Sequence, residues 1–224
     1  MNNIKHLITA RFKIFAILTA CMAFSIILLM IRMKLTHSFF YLFLVWNLFL
    51  AVIPFAITTY LSSIPKLNKL WFVFWFGVWL LFLPNAPYII TDLIHLRLSS
   101  KALIWLDILT VTTFAFTGLL LFYLSFIDMI TILKTYLKKK TLDIFIPGLL
   151  VLSAFGVYLG RFLRYNSWEI IQNPSALFSD IFQIILNPSE HLEPWFFTLI
   201  FGTFLNLGFW VFQSLYESQN QVPS

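Results

Sequence analysis

Leu70-Trp71-Phe72-Val73-Phe74-Trp75-Phe76-Gly77-Val78-Trp79-Leu80-Leu81-Phe82-Leu83 runs straight into Pro84-Asn85-Ala86-Pro87-Tyr88-Ile89-Ile90-Thr91-Asp92-Leu93-Ile94-His95. The first segment carries no charge, and the run from Leu70 to Ile90 reaches the roughly 20 residues that a helix needs to cross a hydrocarbon core. The second sets two prolines, an asparagine, a carboxylate and an imidazole at the end of that run. Such a polar cluster costs free energy close to lipid, so something other than helix formation keeps it there.

The rest of the chain repeats the first pattern. Five more stretches qualify as spans, Phe12–Ile31, Phe39–Leu61, Ala102–Ile127, Leu142–Leu163 and Trp195–Leu215, joined in most places by short polar links such as Ser62-Ser63-Ile64-Pro65-Lys66. The fold class is therefore all-α, a polytopic transmembrane helical bundle of about six spans. Residues 1–216 read as a single integral membrane domain and 217–224 as a short polar tail. Charged residues make up 11% of the chain, against roughly 25% in soluble domains. The 27 Phe and 8 Trp exceed what one water-soluble core of this size could hide, whereas lipid accepts them and Trp also suits the headgroup level.

The net charge of +6 reads as a topology signal. With the N-terminus inside, nine basic residues (Lys5, Arg11, Lys13, Lys66, Lys69, Lys134, Lys138, Lys139, Lys140) face the cytoplasm, against six outside (Arg32, Lys34, Arg97, Lys101, Arg161, Arg164). The positive-inside rule then puts both termini in the cytoplasm. Lys138, Lys139 and Lys140 suit anionic headgroups. No basic stripe with interleaved aromatics suggests nucleic acid. Cys21 is the single cysteine, which excludes an intrachain disulfide and a cysteine zinc site. The apolar stretch before Cys21 is too short for the core of a lipoprotein signal.

One outer connection is long. Asn173-Pro174 can open a helix and Asn187-Pro188 close it, with Leu177, Phe178, Ile181, Phe182 and Ile185 on one apolar face. A short interfacial helix and a plain surface loop are both open readings.

Candidate chemistry gathers on the outer side. Pro84 and Pro87 remove two backbone donors and disfavour helix at Leu83 and Ala86, so the third span either unwinds near its outer end or simply stops there. Asn85 could satisfy backbone freed by a break. If the following stretch is α-helical, Tyr88, Asp92, His95 and Ser99 form one polar stripe, with Asp92 and His95 a turn apart. Asp92 and His95 are the candidate catalytic pair; Asn85, Tyr88, Asp107, Arg161 and Arg164 are candidate binding residues. An Asp-x-x-His pair falls short of the three or four ligands of a stable metal site, so no metal and no cofactor is expected. Asp107, a turn into the fourth span, needs a partner inside the bundle, and Arg161 and Arg164 suit that role or bidentate recognition of phosphate or carboxylate. Headgroup snorkelling explains both arginines equally well. Asn47 and Asn206, inside spans two and six, are expected to bond across helices.

Leu81-Phe82-Leu83-Pro84-Asn85-Ala86-Pro87-Tyr88 with Thr91-Asp92-Leu93-Ile94-His95, Trp105-Leu106-Asp107, and Gly160-Arg161-Phe162 through Asn166-Ser167-Trp168 resemble the bacterial multi-pass family catalogued as domain of unknown function 1361. The resemblance runs from about Phe39 to Phe212. Trp168-Glu169 stands where that family often has Trp-Asp. The resemblance implies a bacterial cytoplasmic (inner) membrane protein and no particular activity. Three functions stay open: a structural or accessory membrane component, placed first; an outer-face site or enzyme for an anionic lipid or lipid-linked headgroup; and a small-solute transporter. Whether the chain is an enzyme is left undecided by its residues.

Overall fold

The computed structural model describes residues 9–99, 101–165, 167 and 169–220; Lys5, Asn166, Trp168 and the end of the polar tail lie outside them. Every regular element among these residues is helical. Six helices are long and apolar enough to cross a membrane: Phe12–Thr36, Phe40–Ser62, Lys69–Leu98, Ile104–Leu133, Lys139–Arg161 and Leu192–Ser218. The chain forms two compact units, Met1–Ile132 and Leu133–Ser224.

In the first unit, α1 (Phe12–Thr36) ends at His37, whose φ of 50° reverses the chain. Ser38 Oγ accepts the Phe40 N–H, and a single 3-10 turn, Phe40–Leu42, leads into α2 (Phe43–Ser62). Asn68 caps α3 (Lys69–Phe82) by accepting the Leu70 N–H at 3.0 Å. α4 (Ile104–Leu133) is buried along most of its length.

Two ion pairs fasten α1 to α4. Arg32 Nε donates to Asp107 Oδ1 at 2.9 Å near one end of the two helices. Near the other end, Arg11 holds Asp128 with both terminal nitrogens, Nη1 to Oδ2 at 2.7 Å and Nη2 to Oδ1. Arg11 and Arg32 stand 21 positions apart, as do Asp107 and Asp128. At about 1.5 Å per residue the two pairs lie roughly 31 Å apart, close to the thickness of a hydrocarbon core. The helices are thus antiparallel and in register over a full bilayer crossing.

The third span is broken. α3 has 14 residues, a rise of about 21 Å that falls short of the roughly 30 Å core. Beyond Leu83 the chain makes one α-turn, Asn85–Tyr88, and then a 3-10 helix, Ile89–Leu98. Proline at 84 and 87 removes donors from the ladder. Pro87 leaves Leu83 O without its usual donor, and the Ala86 N–H takes that carbonyl at 3.3 Å, while Asn85 Nδ2 donates at 2.9 Å to Phe82 O, which Ala86 would otherwise have met. Backbone satisfaction inside the protein is the condition on which a break survives at membrane depth. Gly118 of α4 makes room for it, because a Cβ there would come within 2.5 Å of the Ala86 carbonyl oxygen.

In the second unit, α5 (Lys139–Arg161) packs on α7 (Leu192–Asn220). A Cβ on Gly202 would sit 3.2 Å from Val151 Cγ2, and the rings of Tyr158 and Phe162 and of Phe197 and Phe201 stack in pairs that meet edge to face at Phe162 and Phe197. Asn206 donates to the Gly202 carbonyl of its own helix rather than across to another. The long connection holds a helix, α6 (Pro174–Leu186), with proline in its first turn. α7 continues through Glu217 to Asn220, so part of the expected polar tail is helical. Lys138, Lys139 and Lys140 are exposed at the start of α5.

Replacing Gly118 by alanine gains about 1 kcal/mol of helix propensity but drives a methyl into backbone that cannot move aside. Steric strain wins: Gly118→Ala should lower the melting temperature in detergent, and Gly118→Val should lower it further, by roughly 1–3 kcal/mol of overpacking.

Candidate functional site

Polar side chains converge at the end of the first unit that carries Arg32 and Asp107. Asp92 is fully buried, and its Oδ2 accepts a hydrogen bond from Asn47 Nδ2 of α2 at 2.8 Å. His95 lies one 3-10 turn further on. Its Nδ1 is 3.1 Å from the Asp92 backbone oxygen and 3.8 Å from Asp92 Oδ1. With the proton on Nδ1, the ring donates to the Asp92 carbonyl and leaves Nε2 as an acceptor. Phe40 and Phe43 pack on the ring at centroid distances of 6.0 and 5.0 Å. The imidazole side chain keeps 26% of its surface exposed while its carboxylate neighbour keeps 1%.

Tyr41 joins this pair to the Arg32–Asp107 bridge. Its hydroxyl donates to the His95 backbone oxygen at 3.3 Å or shares a hydrogen bond with Ser99 Oγ at 3.0 Å. The face of its ring lies 4.6 Å from the Arg32 guanidinium carbon, a cation–π contact that strengthens when desolvated. Arg32 Nη1 also donates to Ser38 O at 3.1 Å, which holds the turn after α1. Each charge of the bridge also suits its helix end, Arg32 near the C-terminus of α1 and Asp107 in the first turn of α4.

The register differs from that expected of an α-helix. Three residues per turn align i with i+3, so Ile89, Asp92 and His95 form the inward line, with Ile89 and Asp92 both fully buried. Tyr88 lies off that line, and its carbonyl accepts the Thr91 hydroxyl at 2.6 Å. Asn85 bonds locally at the break. The expected partnership of Asp107 with Arg161 and Arg164 is corrected: the cation at Asp107 is Arg32. α5 ends at Arg161, and Arg164 lies beyond it with a φ of 62°. The Tyr165 N–H closes that helix end by bonding to Leu159 O at 3.1 Å. Among the described residues no three His, Cys, Asp or Glu side chains gather as a metal site needs.

Arg32, Tyr41, Arg11, Asp128 and Gly118 were not legible as a set. Arg32 reads in sequence as a topology charge, although the matched spacing of two arginines around span one and two aspartates around span four is a usable signal. Asn47 was legible as a cross-helix donor, but its acceptor was not.

Six spanning helices with buried, matched ionic side chains define an integral membrane helical protein. Residues 46–207 match the family described as proteins of unknown function, DUF1361, and the chain belongs to that family. No curated protein and no solved structure is similar enough to match.

Breaking a buried ion pair by removing one partner costs roughly 3–5 kcal/mol, whereas replacing both with apolar residues is often neutral. Arg32→Met alone should therefore destabilise the protein strongly in detergent melts. The Arg32→Met/Asp107→Leu double variant should recover most of the loss. Equal effects from the single and double variants would mean that the bridge is not desolvated.

Proposed function

We propose that the protein is a structural or accessory component of the membrane, and that its polar cluster is a clasp holding helices together. The observation that carries this reading is the matching of buried groups: Asp107 is met by Arg32, and Asp92 by Asn47 and the neighbouring imidazole. The clasp draws on α1, α2, α4, the turn at Tyr41 and the 3-10 segment. Polar side chains that bond across helices are one of the forces that hold spans together where lipid supplies no hydrophobic drive.

In this reading the chain sits in a bacterial inner membrane with both termini cytoplasmic, as the basic residues favour. The Asp92–His95 end then faces outward and Lys138–Lys140 meet anionic headgroups inside. A fluorescent protein fused to the C-terminus should fluoresce, while a phosphatase that needs the periplasm should stay inactive there. The reverse result would invert the topology.

A second reading rests on the part-exposed ring of His95 beside a buried carboxylate. That is the geometry of an oriented acid–base or headgroup-binding imidazole, and it would suit an outer-face site for an anionic lipid headgroup. Asp92→Asn and His95→Ala separate the two. A clasp predicts lower melting temperatures or poorer insertion, about 1–3 kcal/mol for each buried partner lost. Variants that insert, melt like the parent and still abolish a cellular phenotype would instead establish the site.

A further inference from the structure

α6 has two apolar arcs and only one of them is covered. Leu177 and Ile184 are buried against the protein, and Asp180, its single charge, accepts the Tyr165 hydroxyl at 2.8 Å. Phe178, Phe182 and Ile185, at i, i+4 and i+7, form a second arc that is 45%, 59% and 50% exposed. Ser179 and Gln183 are exposed on the far side of the helix. Three arcs result: one against protein, one bare and apolar, one polar and uncharged.

Chain connectivity and one hydrogen bond say what covers the bare arc. α6 is tethered between two spanning helices, α5 and α7. Trp195, in the first turn of α7, donates its indole N–H to the Ile184 carbonyl at 3.1 Å. Tryptophan at the end of a span favours the headgroup level, so this bond holds the second half of α6 where α7 enters the lipid. The apolar phase available at that level is the bilayer itself.

We infer that α6 lies in the headgroup layer with Phe178, Phe182 and Ile185 inserted among the acyl chains and Ser179 and Gln183 toward water. Interfacial helices bind through buried apolar area together with attraction of basic residues to anionic lipid. α6 contains no Lys or Arg, so its insertion depends on apolar area alone and is indifferent to headgroup charge.

Spin labels test this. In a Cys21→Ser background, cysteine is placed singly at Phe178, Phe182, Ser179 or Gln183, labelled, and the full chain reconstituted in phosphatidylcholine vesicles. Labels at 178 and 182 should collide with oxygen far more than with a water-soluble nickel chelate, at a depth of roughly 5–10 Å. Those at 179 and 183 should show the opposite. Adding phosphatidylglycerol should leave the depths unchanged. Equal nickel access at all four positions would overturn the inference, as would protection of 178 and 182 from both reagents, which marks a protein cover. A depth that follows phosphatidylglycerol content would overturn its indifference to charge. Melting curves for each labelled chain exclude misfolding as the cause.

Discussion

The Arg32–Asp107 bridge is the interaction on which the rest of the first unit depends. A carboxylate buried in a membrane protein needs a partner, and the cation that meets Asp107 comes from α1. That choice places the C-terminal end of α1 against the N-terminal end of α4. It also places Tyr41 under the guanidinium, and Tyr41 in turn holds the backbone at His95 and the hydroxyl of Ser99. The pair at Arg11 and Asp128 repeats the lock at the other end. There the helix dipoles oppose the charges, since the cation sits at an N-terminus and the anion near a C-terminus. Two-pronged geometry compensates for that.

The break in the third span is the second constraint, and it works through α4 as well. Prolines take donors away, Asn85 returns one, and Gly118 leaves space for the Ala86 carbonyl to approach. Leaving the α-helix changes which side chains share a face. A 3-10 helix stacks Asp92 directly after Ile89, which buries the carboxylate beside Asn47 and leaves His95 at the edge. Long 3-10 stretches are uncommon and often mark strain or a functional hinge. Here the segment is tied by side chains: His95 and Tyr41 bond to its own carbonyls, and Thr91 bonds to the Tyr88 carbonyl just before it.

Membership of the family of unknown function agrees with the resemblance seen in Pro84–His95 and Trp105–Asp107, and the matched region covers most of the spans. The residues that carry that resemblance include two structural devices, the proline break and one half of the α1–α4 bridge. Arg32, the other half, lies before the matched residues.

The sequence by itself determined the solvent, the number of spans and their approximate ends. Hydropathy over 20 residues is a local property, and lipid imposes it without reference to neighbours. It also marked the proline break, because a missing N–H is visible in the residue itself. Tertiary structure decided the partners. Asp107 had four arginines on its expected side of the membrane, Arg32, Arg97, Arg161 and Arg164, and the packing of α1 on α4 supplied Arg32. Similarly, an Asp-x-x-His pair fits either helix type at i and i+3. Whether Tyr88 or Ile89 shares its face depends on 3.6 or 3 residues per turn, and the folded chain takes three from Ile89 to Leu98, a choice that the local residue pattern leaves open.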